Sequence, residues 1–171
     1  SGLPEICKNV ADGADVYALS RLCAFSKGVY FLGRGLDYAV ALEASLKLKE
    51  VSYIPSEGYP SGELKHGTLA LIDNATVSVF IATDKSLTDK YKNSVEQVIS
   101  RGGIAAIITD IDELETTFKG RAHIIKLPCC RGHLSPLVTA TAVQLLAYET
   151  AVSLGLNPDK PRNLAKSVTV E

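Results

Sequence analysis

The sequence predicts an α/β fold, a three-layer α/β/α sandwich around a mostly parallel sheet. Four short runs of apolar and β-branched residues are typical of buried strands; they lie at 28–33, 76–83, 104–109 and 123–127. Helical patterns alternate with these runs, which favours parallel strands joined by right-handed crossovers with helices on both faces. The chain has no Met and no Trp, so its core must consist mostly of Ala, Leu, Val and Ile.

Apolar residues at spacings of three and four predict the helices; these lie at 4–25, 38–52, 86–100 and 136–154. Ser86 is the expected N-cap of the third helix, with Asp89 three residues later as a weak capping box. Residues 55–67 contain two prolines and three glycines, so we predict a loop there. A short helical turn is expected at 69–72.

The composition is that of a folded protein without a nucleic-acid or membrane partner. Hydrophobic residues make up 46% and charged residues 22%, and the formal net charge of −1 provides no concentrated basic surface. Neither a membrane span nor a signal peptide is visible, so we expect a cytoplasmic location. Because there is no Met, we expect a piece cut from a longer protein, with one domain over 1–155 and a tail over 156–171.

The cysteines at positions 7, 23, 129 and 130 form no CxxC motif, and we expect free thiols in a reducing compartment. Cys129, Cys130 and His133 could together hold a metal ion, but zinc ligands normally come as two spaced pairs and a second pair is missing. We therefore predict no metal site, and we expect no cofactor.

Gly33, Arg34 and Gly35 follow the first predicted strand and are candidates for binding a substrate. In open parallel sheets, ligands bind outside the carboxyl ends of the strands, which is where these residues fall. The third glycine of a dinucleotide-binding G-x-G-x-x-G motif is missing, so the motif is weak. A tight turn from strand to helix is the alternative explanation of the two glycines.

Glu43, Lys47 and Glu50 recur at spacings of four and three on the second predicted helix, so they share one helix face. One interpretation is a solvated ion pair between Glu43 and Lys47, which stabilises a helix only slightly. The other is a general base, because a partly desolvated Glu beside a Lys can move a proton on a carbon next to a carbonyl. This helix begins at the carboxyl end of the first strand, so we expect its charges near a ligand at that edge.

Two further residues could take part in proton or carbonyl chemistry. His66 lies between glycine-framed turns, and a histidine titrates near neutral pH, although a lone loop histidine is usually a surface residue. Lys166 lies in the tail, where a lysine is ordinarily a solvated ammonium. If the tail packs over a site, desolvation would let this amine lose its proton and attack a carbonyl as a Schiff-base nucleophile.

Three separated segments together resemble the isomerizing glutamine–fructose-6-phosphate aminotransferases, also called glucosamine-6-phosphate synthases, of amino-sugar biosynthesis. They are residues 42–54, the loop GELKHG at 62–67 with LALID at 69–73, and the ending PRNLAKSVTVE at 161–171. The resemblance covers the chain from about Leu3 onward. It implies the second of two sugar isomerase (SIS) subdomains, with a flavodoxin-like sandwich, in an enzyme that makes glucosamine 6-phosphate from fructose 6-phosphate and glutamine.

The resemblance also implies roles for the candidate residues. Glu50 would move the proton between C1 and C2 of the sugar, with Glu43 and Lys47 supporting that step. His66 would open the sugar ring in the active site of the neighbouring subunit of a homodimer. In the tail, Lys166 would form a Schiff base with the open-chain ketose, and Arg162 and Ala165 would bind the substrate and help to close the site.

The chain lacks the glutaminase domain and the first SIS subdomain, which holds the sugar phosphate in that family. We therefore expect the isolated chain to bind fructose 6-phosphate weakly and not to turn over. Three alternatives stay open: a non-catalytic phosphosugar-binding module, a related sugar-phosphate deglycase or isomerase, and a flavodoxin-like electron carrier. The Glu50, His66 and Lys166 set argues against the first, the ending at 161–171 against the second, and the charged first turn against the third.

Overall fold

A computed structural model describes residues 2–129 and 132–164 of the chain. Its six helices are α1 (Leu3–Gly13), α2 (Tyr17–Ala24), α3 (Leu36–Ser52), α4 (Thr88–Ile99), α5 (Asp112–Phe118) and α6 (Ser135–Ser153). Its five strands are β1 (Gly28–Gly33), β2 (Ser56–Pro60), β3 (Thr76–Ala82), β4 (Ile104–Thr109) and β5 (His123–Lys126). Short 3₁₀ turns occupy Leu64–His66, Thr68–Leu71, Lys85–Leu87 and Gly132–Leu134.

The strands form one sheet in the order β2-β1-β3-β4-β5, and every neighbouring pair is parallel. The chain leaves β1 towards β2 on one side and returns to β3 on the other. Neighbouring strands whose connections run in opposite directions form a topological switch point, here between β1 and β3. The predicted α/β/α sandwich is therefore confirmed.

Each face of the sheet is covered by its own hydrophobic core. Alternate residues of β3 point to opposite faces, so that Val79 and Ile81 belong to one core and Phe80 to the other. The first core is closed by α1, α2, α3 and α6, and the second by α4, α5 and the turn that contains Leu64. The sheet thus separates the apolar residues of α3 from Leu64 of the turn after β2.

The helix predicted at 4–25 is two helices in the structure. After Gly13, Ala14 adopts an extended conformation with ψ 117°, and α2 begins three residues later at Tyr17. Val16, between the helices, is only 2% exposed. Both helices pack on α6 after this break.

The loop predicted at 55–67 contains the edge strand β2. Its Gly58 lies so close to α3 that a Cβ would come within 2.9 Å of the backbone of Ala41 and Leu42. Its Pro60 is tolerated because it ends an edge strand, where an N–H donor is not needed for a further neighbour. Glycine and proline predicted a loop here, but an edge strand also accommodates both residues.

The start of α4 also differs from the prediction. The helix begins at Thr88, and a 3₁₀ turn precedes it in which Asp84 is the cap, accepting hydrogen bonds from Ser86 N at 2.9 Å and Ser86 Oγ at 2.7 Å. Helix α5 was not predicted, because seven residues are too few for a clear period. Within 2–129 and 132–164, no helix is long and apolar enough to span a membrane.

Candidate active site

The three charged residues predicted to share a face of α3 are in contact. Lys47 Nζ lies 2.6 Å from Glu50 Oε2 and 3.8 Å from Glu43 Oε1. Their side chains are 29% to 42% exposed, so the group is partly desolvated but open to a ligand. The hydrogen bond to Glu50 raises the pKa of Lys47, with smaller contributions from the two carboxylates, so the ammonium stays charged at neutral pH.

This charged face is not at the carboxyl edge of the sheet, contrary to the prediction. Helix α3 runs back antiparallel to β1, because it must deliver the chain to the start of parallel β2. Glu50 follows Leu36 by fourteen residues, a rise of about 21 Å along the helix axis. Only the beginning of α3 lies at the carboxyl edge, and Glu50 lies near the opposite edge.

The tail returns to the end of α3 that carries Glu50. Tyr53, the residue that caps the helix, is left-handed with φ 64° and donates its backbone N–H to Lys49 O. The backbone N–H of Arg162 donates to Tyr53 Oη at 2.8 Å, and the Arg162 guanidinium lies 4.1 Å from the centre of the Tyr53 ring. A cation over an aromatic face is attractive. The structure therefore brings Arg162 and the Glu50 end of α3 together, while Ala165 and Lys166 lie outside the described residues.

His66 lies on the other side of the sheet. It ends the 3₁₀ turn Leu64–His66, its backbone N–H donates to Glu63 O at 2.9 Å, and its side chain is exposed. The preceding Leu64 is fully buried in the core beneath α4. Since α3 packs on the opposite core, one chain does not bring His66 and Glu50 together.

The two glycines of the first turn have structural reasons. A Cβ on Gly33 would lie 2.3 Å from the backbone oxygen of Asp37, so only glycine lets β1 turn this closely into α3. Gly35 has φ 55°, a conformation that side-chain-bearing residues rarely adopt. Both features agree with the tight-turn interpretation. Arg34, between the two glycines, lines two cavities at the carboxyl edge. If this turn binds a substrate, Arg34 is therefore the residue whose side chain can contact it.

Asp37, which was not among the predicted site residues, is a buried carboxylate at this edge. It is 2% exposed and accepts hydrogen bonds from Thr83 N at 2.8 Å, Thr83 Oγ1 at 2.6 Å and Tyr91 Oη at 2.7 Å. Burial, together with the neighbouring carboxylate, raises the pKa of Tyr91, so its hydroxyl remains a donor. These bonds join α3 to the residue that follows β3 and to α4. An acidic residue in the first turn of a helix was the available signal.

The described cysteines, Cys7, Cys23 and Cys129, are free thiols. Burial raises the pKa of Cys23 to about 12, so this thiol is inert. The trio considered for a metal includes Cys130, which lies outside the described residues. Over 2–129 and 132–164, the structure holds no cluster of three or more potential metal ligands.

Comparison with known proteins shows which family this chain belongs to. The SIS domain model matches residues 24–154. The chain is 45% identical over 170 residues to the glutamine–fructose-6-phosphate aminotransferase [isomerizing] of Legionella pneumophila (strain Paris), covering 99% of this chain and 28% of that protein. It is 52% identical over 141 residues to the protein of the same name from Neisseria meningitidis serogroup B, covering 82% of this chain and 23% of that protein.

A solved structure agrees. The C-terminal domain of glucosamine-fructose-6-phosphate aminotransferase from Francisella tularensis has a TM-score of 0.82 at 34% identity, covering 93% of this chain and 44% of that one. The chain thus spans about a quarter of the length of the curated relatives it matches. It belongs to the SIS domain family, and its similarity within that family is to the isomerizing glutamine–fructose-6-phosphate aminotransferases.

Proposed function

We propose that this chain is the part of a glutamine–fructose-6-phosphate aminotransferase that converts the ketose skeleton into the aldose. The complete enzyme would make glucosamine 6-phosphate from fructose 6-phosphate and glutamine. The observation that carries the proposal is that Arg162 docks on Tyr53, which brings the tail to the end of α3 where Glu50 and Lys47 lie hydrogen-bonded at 2.6 Å.

In this proposal Glu50 removes the proton from C1 of the open-chain sugar and returns a proton to C2. One carboxylate suffices for both transfers because the intermediate is planar and the base stays on one side of it. Lys47 holds the carboxylate by a hydrogen bond and keeps a positive charge beside the developing negative charge. Glu43 helps to orient Lys47 from 3.8 Å on the other side.

Lys166 would supply the amine that forms a Schiff base with C2 of the ketose, with loss of water, and ammonia from glutamine would displace the lysine from C2 before Glu50 moves the proton. It follows Arg162 by four positions, and four residues reach at most about 14 Å, so the docking of Arg162 restricts where the amine can act. With Arg162 and Ala165 around the sugar, the tail would exclude water, which favours the neutral amine needed for attack.

His66 would act in the partner subunit of a homodimer. Its side chain is exposed and on the opposite side of the sheet from Glu50, so an acid–base role in this reaction requires a second chain. In a two-fold dimer each chain can lend the same residue to the other, and both sites are then complete. We place this reaction in the cytoplasm, a compartment that the free thiols of the described cysteines suit.

A chimera tests the proposal. In the Legionella pneumophila enzyme, the 170 matched residues are replaced by this chain, and glucosamine 6-phosphate formation is measured. We expect activity in the chimera and a loss of about 10³-fold on Glu50→Gln, as for removal of a general base, with glutaminase activity retained.

Glu113→Gln is the matched control, because it also removes a carboxylate that pairs with a lysine, on α5 rather than α3. This control should retain the activity of the chimera. Sugar output from Glu50→Gln equal to that of the unmodified chimera would exclude Glu50 as the base. A chimera that is inactive although folded would reject the assignment of this chain.

A further inference from the structure

An open recess lies at the amino edge of the sheet, between α2 and the starts of β3, β4 and β5. Its volume is about 610 Å³, within the range of about 300–1,000 Å³ that is typical of sites for small molecules. Four segments of the chain contribute to its walls, and the residues that matter below are Tyr17, Arg21, Phe25, Asn74, Ile104 and His123. Glu43, Lys47 and Glu50 do not line it, so the proposed isomerisation does not explain this recess.

One wall of the recess is a second face of α2. Leu19 and Cys23 are buried in the first core. Tyr17, Arg21 and Phe25 follow one another at spacings of four, so they share a different face, which borders the recess. The side chain of Tyr17 is 60% exposed and that of Phe25 is 71% exposed, although both are aromatic. Single exposed apolar residues are ordinary, whereas an aromatic pair that borders one cavity is typical of a binding site.

Hydrogen-bond donors accompany this apolar surface. Of the described residues, Arg21, Asn74 and His123 line the recess, and no acidic residue does. Over 2–129 and 132–164, no ion pair engages Arg21. Its guanidinium lies 5.6 Å from the centre of the Phe25 ring, a cation–π contact that holds its donors beside the apolar wall. Because a guanidinium binds a carboxylate through two parallel hydrogen bonds, the recess complements a molecule with an apolar body and a carboxylate end.

The walls of the recess are held in place by the fold. The Phe25 N–H donates to Arg21 O at 3.3 Å, which closes the end of α2. The Lys27 N–H donates to Ala75 O at 2.8 Å, and Lys27 Nζ lies 2.8 Å from Asp73 Oδ2. These contacts tie the segment after α2 to the turn before β3. A recess that exists before the ligand arrives loses less conformational entropy when the ligand binds.

We propose that this recess binds a small apolar carboxylic acid, with the carboxylate on Arg21 and the apolar body against Tyr17 and Phe25. A partner protein is the alternative occupant. A stable protein interface buries about 800 Å² on each partner. Among the described residues, only two of the large apolar side chains that are exposed line the recess. That surface is small for a protein and sufficient for a single ring or a short alkyl chain.

Titration of the 171-residue chain with 3-phenylpropionate tests the proposal, with 3-phenylpropanol as the uncharged analogue. NMR chemical shifts are followed at constant ionic strength. The acid should bind saturably, and the alcohol about tenfold more weakly, because it lacks the charge that Arg21 recognises. Arg21→Gln should weaken binding of the acid about tenfold and leave the alcohol unchanged. Phe25→Ser should weaken both without lowering the urea midpoint, since this side chain is mostly exposed.

The control is Lys90→Gln, which removes an exposed cation from α4 on the other layer of the sandwich and should leave both affinities unchanged. Sedimentation of the ligand-free chain tests whether a second copy fills the recess. Unchanged sedimentation of Phe25→Ser supports the proposal, whereas a dimer that this substitution dissociates would assign the recess to an interface between copies and overturn it. Equal affinities for acid and alcohol, or binding of the acid that Arg21→Gln weakens no more than Lys90→Gln does, would also overturn it.

Discussion

The two ends of α3 carry acids in opposite physical states. Asp37, in the first turn, is 2% exposed and accepts three hydrogen bonds from Thr83 and Tyr91. Glu50, near the last turn, is 29% exposed and has Lys47 as its hydrogen-bonding partner. A buried carboxylate with donors on both of its oxygens holds a fold together, whereas a part-exposed one with a single hydrogen-bonding partner can take up a proton from a ligand. The same helix therefore bears a structural acid and a chemically available one.

The two roles should differ most in how much stability the protein loses when each acid is replaced. Asp37→Ala removes the acceptor of the buried Tyr91 hydroxyl and of two part-buried donors on Thr83, and we expect a loss of about 3 kcal/mol in the free energy of unfolding. Glu50→Gln removes a part-exposed ion pair and should cost less than about 1 kcal/mol. Urea unfolding of both variants measures the contrast.

Tyr91→Phe is the graded control for this prediction, since it removes one of the three donors and should cost about 1 kcal/mol. Equal destabilisation by Asp37→Ala and Glu50→Gln would mean that the two ends of the helix do not differ in the way described.

The attachment of the tail at the Glu50 end gives a smaller, local effect. Tyr53→Phe removes the acceptor of the Arg162 N–H and keeps the aromatic ring under the guanidinium. A lost hydrogen bond of about 1 kcal/mol corresponds to roughly fivefold faster amide exchange at Arg162, with little change in global stability. Hydrogen exchange followed by NMR measures it.

Tyr148→Phe, an exposed tyrosine on α6, is the control and should leave exchange at Arg162 unchanged. Unaltered exchange in Tyr53→Phe would show that this hydrogen bond does not hold the tail in solution.

The smallest effect concerns Asp110, which lines a cavity with Arg34 at the carboxyl edge, and depends on pH. Burial raises the pKa of this carboxyl above its usual 3.8, although Lys85 and Lys126 oppose the shift. The native state then binds the proton more tightly than the unfolded state, so wild type loses stability as pH rises through the raised pKa. Asp110→Asn should therefore be more stable than wild type at pH 7, with the difference shrinking as pH falls towards 3.8.

Asp112→Asn should change the stability at pH 7 in the opposite direction, because the hydrogen bond from Lys126 lowers the pKa of Asp112. Stability from that pair is present above the usual carboxyl pKa and is lost as pH falls. Its removal should be unfavourable at pH 7 and neutral in acid. Urea unfolding from pH 7 to well below pH 3.8 compares both variants, because the effect at Asp112 is lost only as pH falls through its lowered pKa. A pH-independent difference for Asp110→Asn would contradict the assigned cause.

The fold class was predictable because strand and helix signals alternate in the sequence, and a parallel sheet leaves few topologies to choose among. The contact of Lys47 with Glu50 was predictable too, because helical spacing fixes which residues share a face. The position of Glu50 along the helix axis was not predicted. Glu50 lies about 21 Å along that axis from Leu36, so its expected position near the carboxyl edge was wrong.

Contacts between distant segments could not be predicted from the sequence. Nothing in the pattern around Tyr53 or Arg162 indicates that they touch, since 109 positions separate them and docking depends on the whole fold. Strand β2 was hidden because its glycine and proline are also loop residues. The buried role of Asp37 depends on which neighbours are within hydrogen-bonding distance, and composition does not specify this.

The left-handed conformation of Tyr53 has a consequence for engineering this protein. A residue with positive φ at the end of a helix is a routine target for replacement by glycine, which relieves backbone strain and commonly raises the melting temperature. Here the same substitution would delete both the hydroxyl and the ring on which Arg162 rests. Thermostability and the positioning of the chain terminus therefore compete at one residue, and a gain in the first would come with a loss in the second.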